Sequence, residues 1–105
     1  SIGQRARVTI ARALAAEPQL LVADEPFAAL DAPVQTEIIR LLARLNRERG
    51  VAMIVIAHDL AALAMLAGRI MVIDRGSIVE STTMPCLLSA PVHPLSRALV
   101  AAAQR

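Results

Sequence analysis

The chain has no lysine, tryptophan or tyrosine, a single phenylalanine, Phe27, and a single cysteine, Cys86. Without lysine it cannot carry a G-x-x-x-x-G-K-[ST] phosphate loop, whose lysine reaches the nucleotide phosphates. One cysteine excludes an internal disulfide. With only His58 and His93 for company it cannot complete a zinc site either, which suits a reducing setting and leaves packing as its expected role. No basic segment followed by an apolar stretch opens the chain, and the uncharged apolar run at residues 60–68 is far too short to cross a bilayer.

What is present is aliphatic. Of 105 residues, 56% are hydrophobic, so a small core must be built from Leu, Ile, Val, Ala and Met. All eleven basic residues are arginines, scattered from Arg5 to Arg105, and they raise the pI while the net charge stays at +2. A nucleic-acid surface concentrates charge in a patch or stripe, so no direct DNA or RNA partner is expected.

Periodicity orders the chain. Residues 4–16 are alanine-rich, with Val8, Ala11, Leu14 and Ala15 at helical spacing before Pro18. LLVA, residues 20–23, reads as a strand buried on both faces, as in a parallel sheet. Asp31 can cap a helix that tolerates Pro33 in its first turn, whose apolar face carries Ile38, Leu41, Leu42 and Leu45, and which Gly50 ends. VAMIVIA, residues 51–57, is a second apolar strand, and Asp59 can cap the short helix after it. Residues 70–80 read as a hairpin turning at Asp74, Arg75, Gly76 and Ser77 and closing an edge of the sheet, and residues 83–89 and 95–103 as two terminal helices. This order argues for an α/β layered fold with a mainly parallel sheet.

In such sheets ligands gather beyond the carboxyl ends of the strands. LLVADEP delivers Asp24 and Glu25 there, and VIAHDL delivers His58. Two adjacent carboxylates at the end of an apolar strand call for a cation. An apolar strand ending in Asp-Glu is the Walker B arrangement, in which the Asp assists magnesium and the next carboxylate polarises an attacking water. Alone, that pattern fits a capping pair or an exposed turn about as well, and His58 alone fits a satisfied histidine at a strand end. SIGQRARVTIARAL, residues 1–14, places small and polar residues at a helix N-terminus, where free N–H groups favour an anion. Arg5 and Arg7 oppose the helix dipole there, a cost that an anion or an acidic partner would offset.

Together these stretches resemble the ATP-binding cassette (ABC) transporter ATPases. SIGQRARVTIARAL is similar to their signature motif and its following helix, LLVADEP to their Walker B segment, FAALD to their D-loop and VIAHDL to their switch-histidine segment. The resemblance implies a partial P-loop NTPase of RecA-like form that lacks its N-terminal half. ATP and Mg2+ would be the cofactors, with Asp24 assisting the metal, Glu25 as catalytic base and His58 on the γ-phosphate. Ser1, Gly3 and Gln4 would close over ATP held by a second ABC ATPase subunit, paired head to tail as a homo- or heterodimer, and Asp31 would touch that partner. PVHPLSRALVAAAQR, from Pro91, resembles the tail of ATPases of the oligopeptide, dipeptide and nickel import group, with Leu95 in place of the tyrosine. VQTEIIRLL, residues 34–42, resembles the segment after their D-loop.

This implies a nucleotide-binding part over residues 1–80 and a helical extension over 81–105. The complete protein would energise import of peptide or nickel-type substrates, peripheral to the cytoplasmic side of the membrane beside transmembrane permease subunits. A DNA-maintenance ATPase sharing the signature is the alternative, though such proteins carry no tail of this kind; a non-catalytic truncated remnant is another. Three departures bear on this. The phosphate loop is absent, so the chain by itself is expected neither to bind ATP tightly nor to hydrolyse it. Ile2 stands where the signature has its first glycine, and Ala28 replaces the D-loop serine, which would make the parent site degenerate. The chain starts inside a motif and reads as a fragment, with strand edges expected to leave it marginally stable.

Overall fold

The computed structural model describes residues 2–66 and 68–104. They fall into two compact units, Ser1–His58 and Asp59–Arg105.

The first unit holds α1 (Ile2–Ala15), β1 (Leu20–Asp24), α2 (Ala32–Arg49) and β2 (Ala52–Ile56). Helix α1 starts two residues earlier than the periodicity suggests and ends at Ala15, beyond which Glu17 takes left-handed backbone (φ 51°) before Pro18. Asp31 caps α2, accepting the Val34 N–H at 3.0 Å, with Pro33 in the first turn. Gly50 closes it in the left-handed region (φ 66°) and donates its N–H to Asn46 O. The buried stripe of α2 is Ile38, Ile39, Leu42 and Leu45, with Ile39 rather than Leu41 in the core, alongside Leu21, Phe27 and Val51.

Strands β1 and β2 pair in parallel, Leu20 with Ala52 through Asp24 with Ile56. The alternation is sharper than the continuous apolar run suggests. Leu21 is buried, whereas Leu20, Val22, Ile54 and Ile56 on the opposite face are each about half exposed. Successive side chains point to opposite faces, and within this stretch only one face is covered.

The second unit holds α3 (Leu60–Ala64), β3 (Arg69–Asp74), β4 (Ser77–Thr83), α4 (Met84–Ser89) and α5 (Pro94–Ala103). Asp59 caps α3 through the Ala62 N–H at 3.2 Å, and Thr83 caps α4. The hairpin turns on Arg75 and Gly76, both at positive φ, a two-residue turn whose twist matches the strands. Instead of closing an edge of the parallel sheet, β3 and β4 form a two-stranded sheet of their own among the described residues. Leu60, Leu63, Val72, Met84, Leu87 and Val100 are buried. Cys86, expected to pack, is exposed on α4.

Candidate functional site

The parallel register decides what meets at the strand ends. Asp24, the last residue of β1, stands opposite Ile56, the last of β2. The ladder then runs one step further, because Glu25 donates its backbone N–H to Ile56 O at 2.7 Å. Glu25 does this in the left-handed region (φ 50°), which a side chain with a Cβ enters at a cost of order 1 kcal/mol. Its carboxylate meets His58, two residues beyond β2, with Nδ1 at 3.1 Å from Oε1 and 3.2 Å from Oε2. The short Nδ1 contact to both oxygens makes Nδ1 the donor, because an ionised carboxylate can only accept.

This pair is open to solvent, the histidine side chain 81% and the glutamate 38% exposed, so it is worth at most about 1 kcal/mol to stability. Strained backbone holding an exposed acid against an exposed imidazole is a poor stabilising device and a good chemical one. The carboxylate can polarise a water, and the ring beside it, its Nδ1–H taken by the carboxylate, can donate to an oxyanion through Nε2 only as the imidazolium.

Asp24 is exposed and has no hydrogen-bond or ion-pair partner for its carboxylate among the described residues. No group of three potential metal ligands occurs among the described residues. A lone hard oxygen donor fits magnesium, which keeps several waters and is commonly held by one or two carboxylates together with substrate phosphates.

The other expected site residues gather at the start of α2. Gly3 lies in the first turn of α1, where a Cβ would meet Val34 Cγ1 at 2.6 Å. Asp31 accepts the N–H of that same Val34, so Gly3 and Asp31 are brought together across one residue. Gln4 is exposed on α1, and Ser1 lies outside the described residues. Between the strand end and Asp31, Ala28 N–H donates to Glu25 O and Leu30 N–H to Phe27 O, Ala29 is left-handed (φ 60°), and Phe27 is buried as the anchor of the turn.

The acidic partner for Arg7 is Glu37, which pairs with its guanidinium and ties α1 to α2. Sequence reasoning left that partner unnamed because the two residues are thirty positions apart. It also missed the left-handed Glu25: Asp-Glu-Pro carries no glycine to announce a positive φ.

An α/β frame with a parallel pair ending in Asp24, Glu25 and His58, preceded by a small-residue helix entry, defines a stretch of an ATP-binding cassette. The family model described as ABC transporter matches residues 1–28. The probable peptide ABC transporter ATP-binding protein y4tS of Sinorhizobium fredii is 48% identical over 101 residues, which cover 96% of this chain and 29% of that one. The putative oligopeptide transport ATP-binding protein YkfD of Bacillus subtilis is 44% identical over 93% of this chain and 30% of its own length. Among solved structures, the dimeric post-hydrolysis state of the cassette MJ0796 bound to ADP and Pi superposes with a TM-score of 0.70 at 36% identity, covering 78% of this chain and 35% of that one. The chain belongs to the ABC transporter ATPases and spans about a third of the length of the curated relatives it matches.

Proposed function

We propose that this chain is the signature-to-switch stretch of an ATP-hydrolysing subunit that drives peptide import, acting at the cytoplasmic face of the membrane beside permease subunits. The observation that carries it is the contact of Glu25 with His58 at the ends of two paired parallel strands. The relatives' names, which speak of peptide and oligopeptide transport, support the substrate class.

In this reading Glu25 is the general base. His58, donating from Nδ1 to both carboxylate oxygens, fixes the rotamer of Glu25 and keeps it aimed at the attacking water. Asp24 offers the oxygen that would hold magnesium, directly or through water; the ion, when bound, neutralises charge on phosphate oxygens. Gly3 and Gln4, which follow Ser1 in the motif, present N–H groups of the first turn of α1 to nucleotide held by a second cassette, and Asp31 sets the loop between the two. The helical extension over 81–105 belongs to the importer-type tail. This stretch has no lysine, so the phosphate cradle must be supplied by other residues.

The test is Glu25→Gln in the complete protein. ATP turnover should fall by about 10²- to 10⁴-fold while ATP affinity stays within about threefold. Unchanged turnover would remove Glu25 from its role. A second reading, a non-catalytic remnant, is favoured by the missing lysine alone. It requires that the purified polypeptide show no saturable ATP binding at all.

A further inference from the structure

The proline turn into α5 has no part in the chemistry above, yet it carries a closed set of polar contacts. Glu80 on β4 accepts the His93 N–H at 3.0 Å and the Val92 N–H at 3.2 Å through Oε1, with Oε2 3.3 Å from the Val92 nitrogen. His93 caps α5 with its own ring: Nδ1 accepts the Leu95 N–H at 3.1 Å. Arg97 Nε donates to Pro91 O at 3.2 Å. The Glu80 carboxyl is held below its ordinary value, first by the His93 N–H and then by the Ser96 hydroxyl, with partial burial opposing and the Val92 N–H and the charge of His93 adding to the effect. Ser96 Oγ is buried near that carboxylate without reaching full hydrogen-bond geometry to any partner.

Only one form of His93 can cap this helix. Because Nδ1 accepts, the neutral ring carries its proton on Nε2. A second proton must go to Nδ1, which ends the bond from Leu95 and leaves one of the orphan donors of the first turn without an acceptor. The charged ring is repelled by the positive end of α5 and attracted by the Glu80 carboxylate, which already serves two amides.

We propose that His93 is a proton-operated cap: on protonation its ring exchanges the Leu95 amide for the Glu80 carboxylate, and the first turn of α5 frays at Leu95 while His93 stays tied to β4. The other titratable groups described in this unit are occupied or placed elsewhere. Asp59 caps α3, Arg69 and Asp74 stand opposite Thr83 and Ser77 at the two ends of the hairpin, and Arg75 is in its turn. Helix α3 has no charged side chain, α4 carries only the exposed Cys86, and Arg97 is held on Pro91 O. The device gives the importer-type tail a use that the hydrolytic site does not.

The experiment follows the full chain by NMR from about pH 8 to pH 5, the range in which imidazoles titrate. It reads the His93 ring nitrogens together with the amides of Val92, His93 and Leu95. At high pH the ring should be the Nε2–H tautomer. The Leu95 amide shift should follow ring protonation with the same midpoint, and its exchange rate, corrected for intrinsic chemistry, should rise about threefold to tenfold, the worth of an N-cap. His93→Asn, which keeps a capping oxygen and does not titrate, should flatten the Leu95 response. Glu80→Gln should deprotect Val92 and His93 at every pH while Leu95 still follows the ring. An Nδ1–H tautomer at high pH, a Leu95 amide indifferent to the ring, or the same Leu95 titration in His93→Asn would each overturn the proposal.

Discussion

Two glutamates divide the labour of this molecule. Glu25, in the unit Ser1–His58, sits in left-handed backbone and spends its carboxylate on an exposed imidazole. Glu80, in the unit Asp59–Arg105, sits in β4 opposite Val72, beside a register shift, and spends its carboxylate on two backbone amides. The first arrangement carries strain and leaves the acid open to solvent; the second satisfies donors that a helix entry would otherwise leave to water. A carboxylate paired by fixed N–H groups serves the fold, and one held against the grain of its backbone is available for chemistry. Neutralising each in the complete protein should separate the two: Glu25→Gln should cost about 10²- to 10⁴-fold in turnover, and Glu80→Gln should leave turnover within about twofold. Equal losses would erase the distinction.

The same contrast explains what could be read from the sequence. Caps were legible because their chemistry is local: Asp31, Gly50 and Asp59 stand where three residues of context place them. The end of β1 was legible because an apolar run stops at two acids, and the resemblance to the ABC ATPases rests on such short motifs. What stayed hidden depends on partners far along the chain. The Arg7–Glu37 pair, the clasp of Glu80 on Val92 and His93, and the half-exposed face of Leu20, Val22, Ile54 and Ile56 are set by packing. The strand faces misled for that reason: an apolar run looks the same whether one face or both are covered.

Within the first unit, Gly3 can serve packing, phosphate approach or both. Gly3→Ala gains up to about 1 kcal/mol of helix propensity but sets a Cβ against Val34, where overpacking costs about 1–3 kcal/mol. The steric cost should win, lowering stability by about 1 kcal/mol in denaturant unfolding. Adding Val34→Ala should recover most of that steric loss. If turnover of the complete protein stays low when stability is recovered, the glycine serves the phosphate as well. Asp31→Ala, which strips the cap from the same turn of α2, should cost a further ~1 kcal/mol, and Asp31→Ser should restore most of it.

Glu80 should write its role into the pH dependence of stability. Its folded value is lowered from the ordinary 4.5, so the native state binds its proton less readily than the unfolded chain. The stabilisation is therefore complete above the ordinary value and disappears as pH falls through the folded one. With the imidazole removed, the stability difference between His93→Asn and the double variant His93→Asn/Glu80→Gln should be flat near neutrality and shrink on acidification below about pH 4.5. A difference that grows in acid would reverse the sign and remove the clasp.

The smallest effect belongs to the pair that looks strongest in the geometry. Arg7 and Glu37 bridge α1 and α2, but their side chains are 52% and 54% exposed. Water screens the attraction, and two long side chains lose freedom to make it, so Arg7→Ala should cost only about 0.2–1 kcal/mol. That loss should fade between about 0.1 M and 1 M salt, as the screening length shrinks from about 10 Å to 3 Å. Helix α1 has no fully buried residue, so this pair and the close approach of Gly3 to Val34 are specific contacts that fix it on α2. A double-mutant cycle with Glu37→Ala isolates the charge term. A coupling well above 1 kcal/mol that ignores salt would mean that the pair is desolvated, and that α1 is held to α2 by charge rather than by close packing.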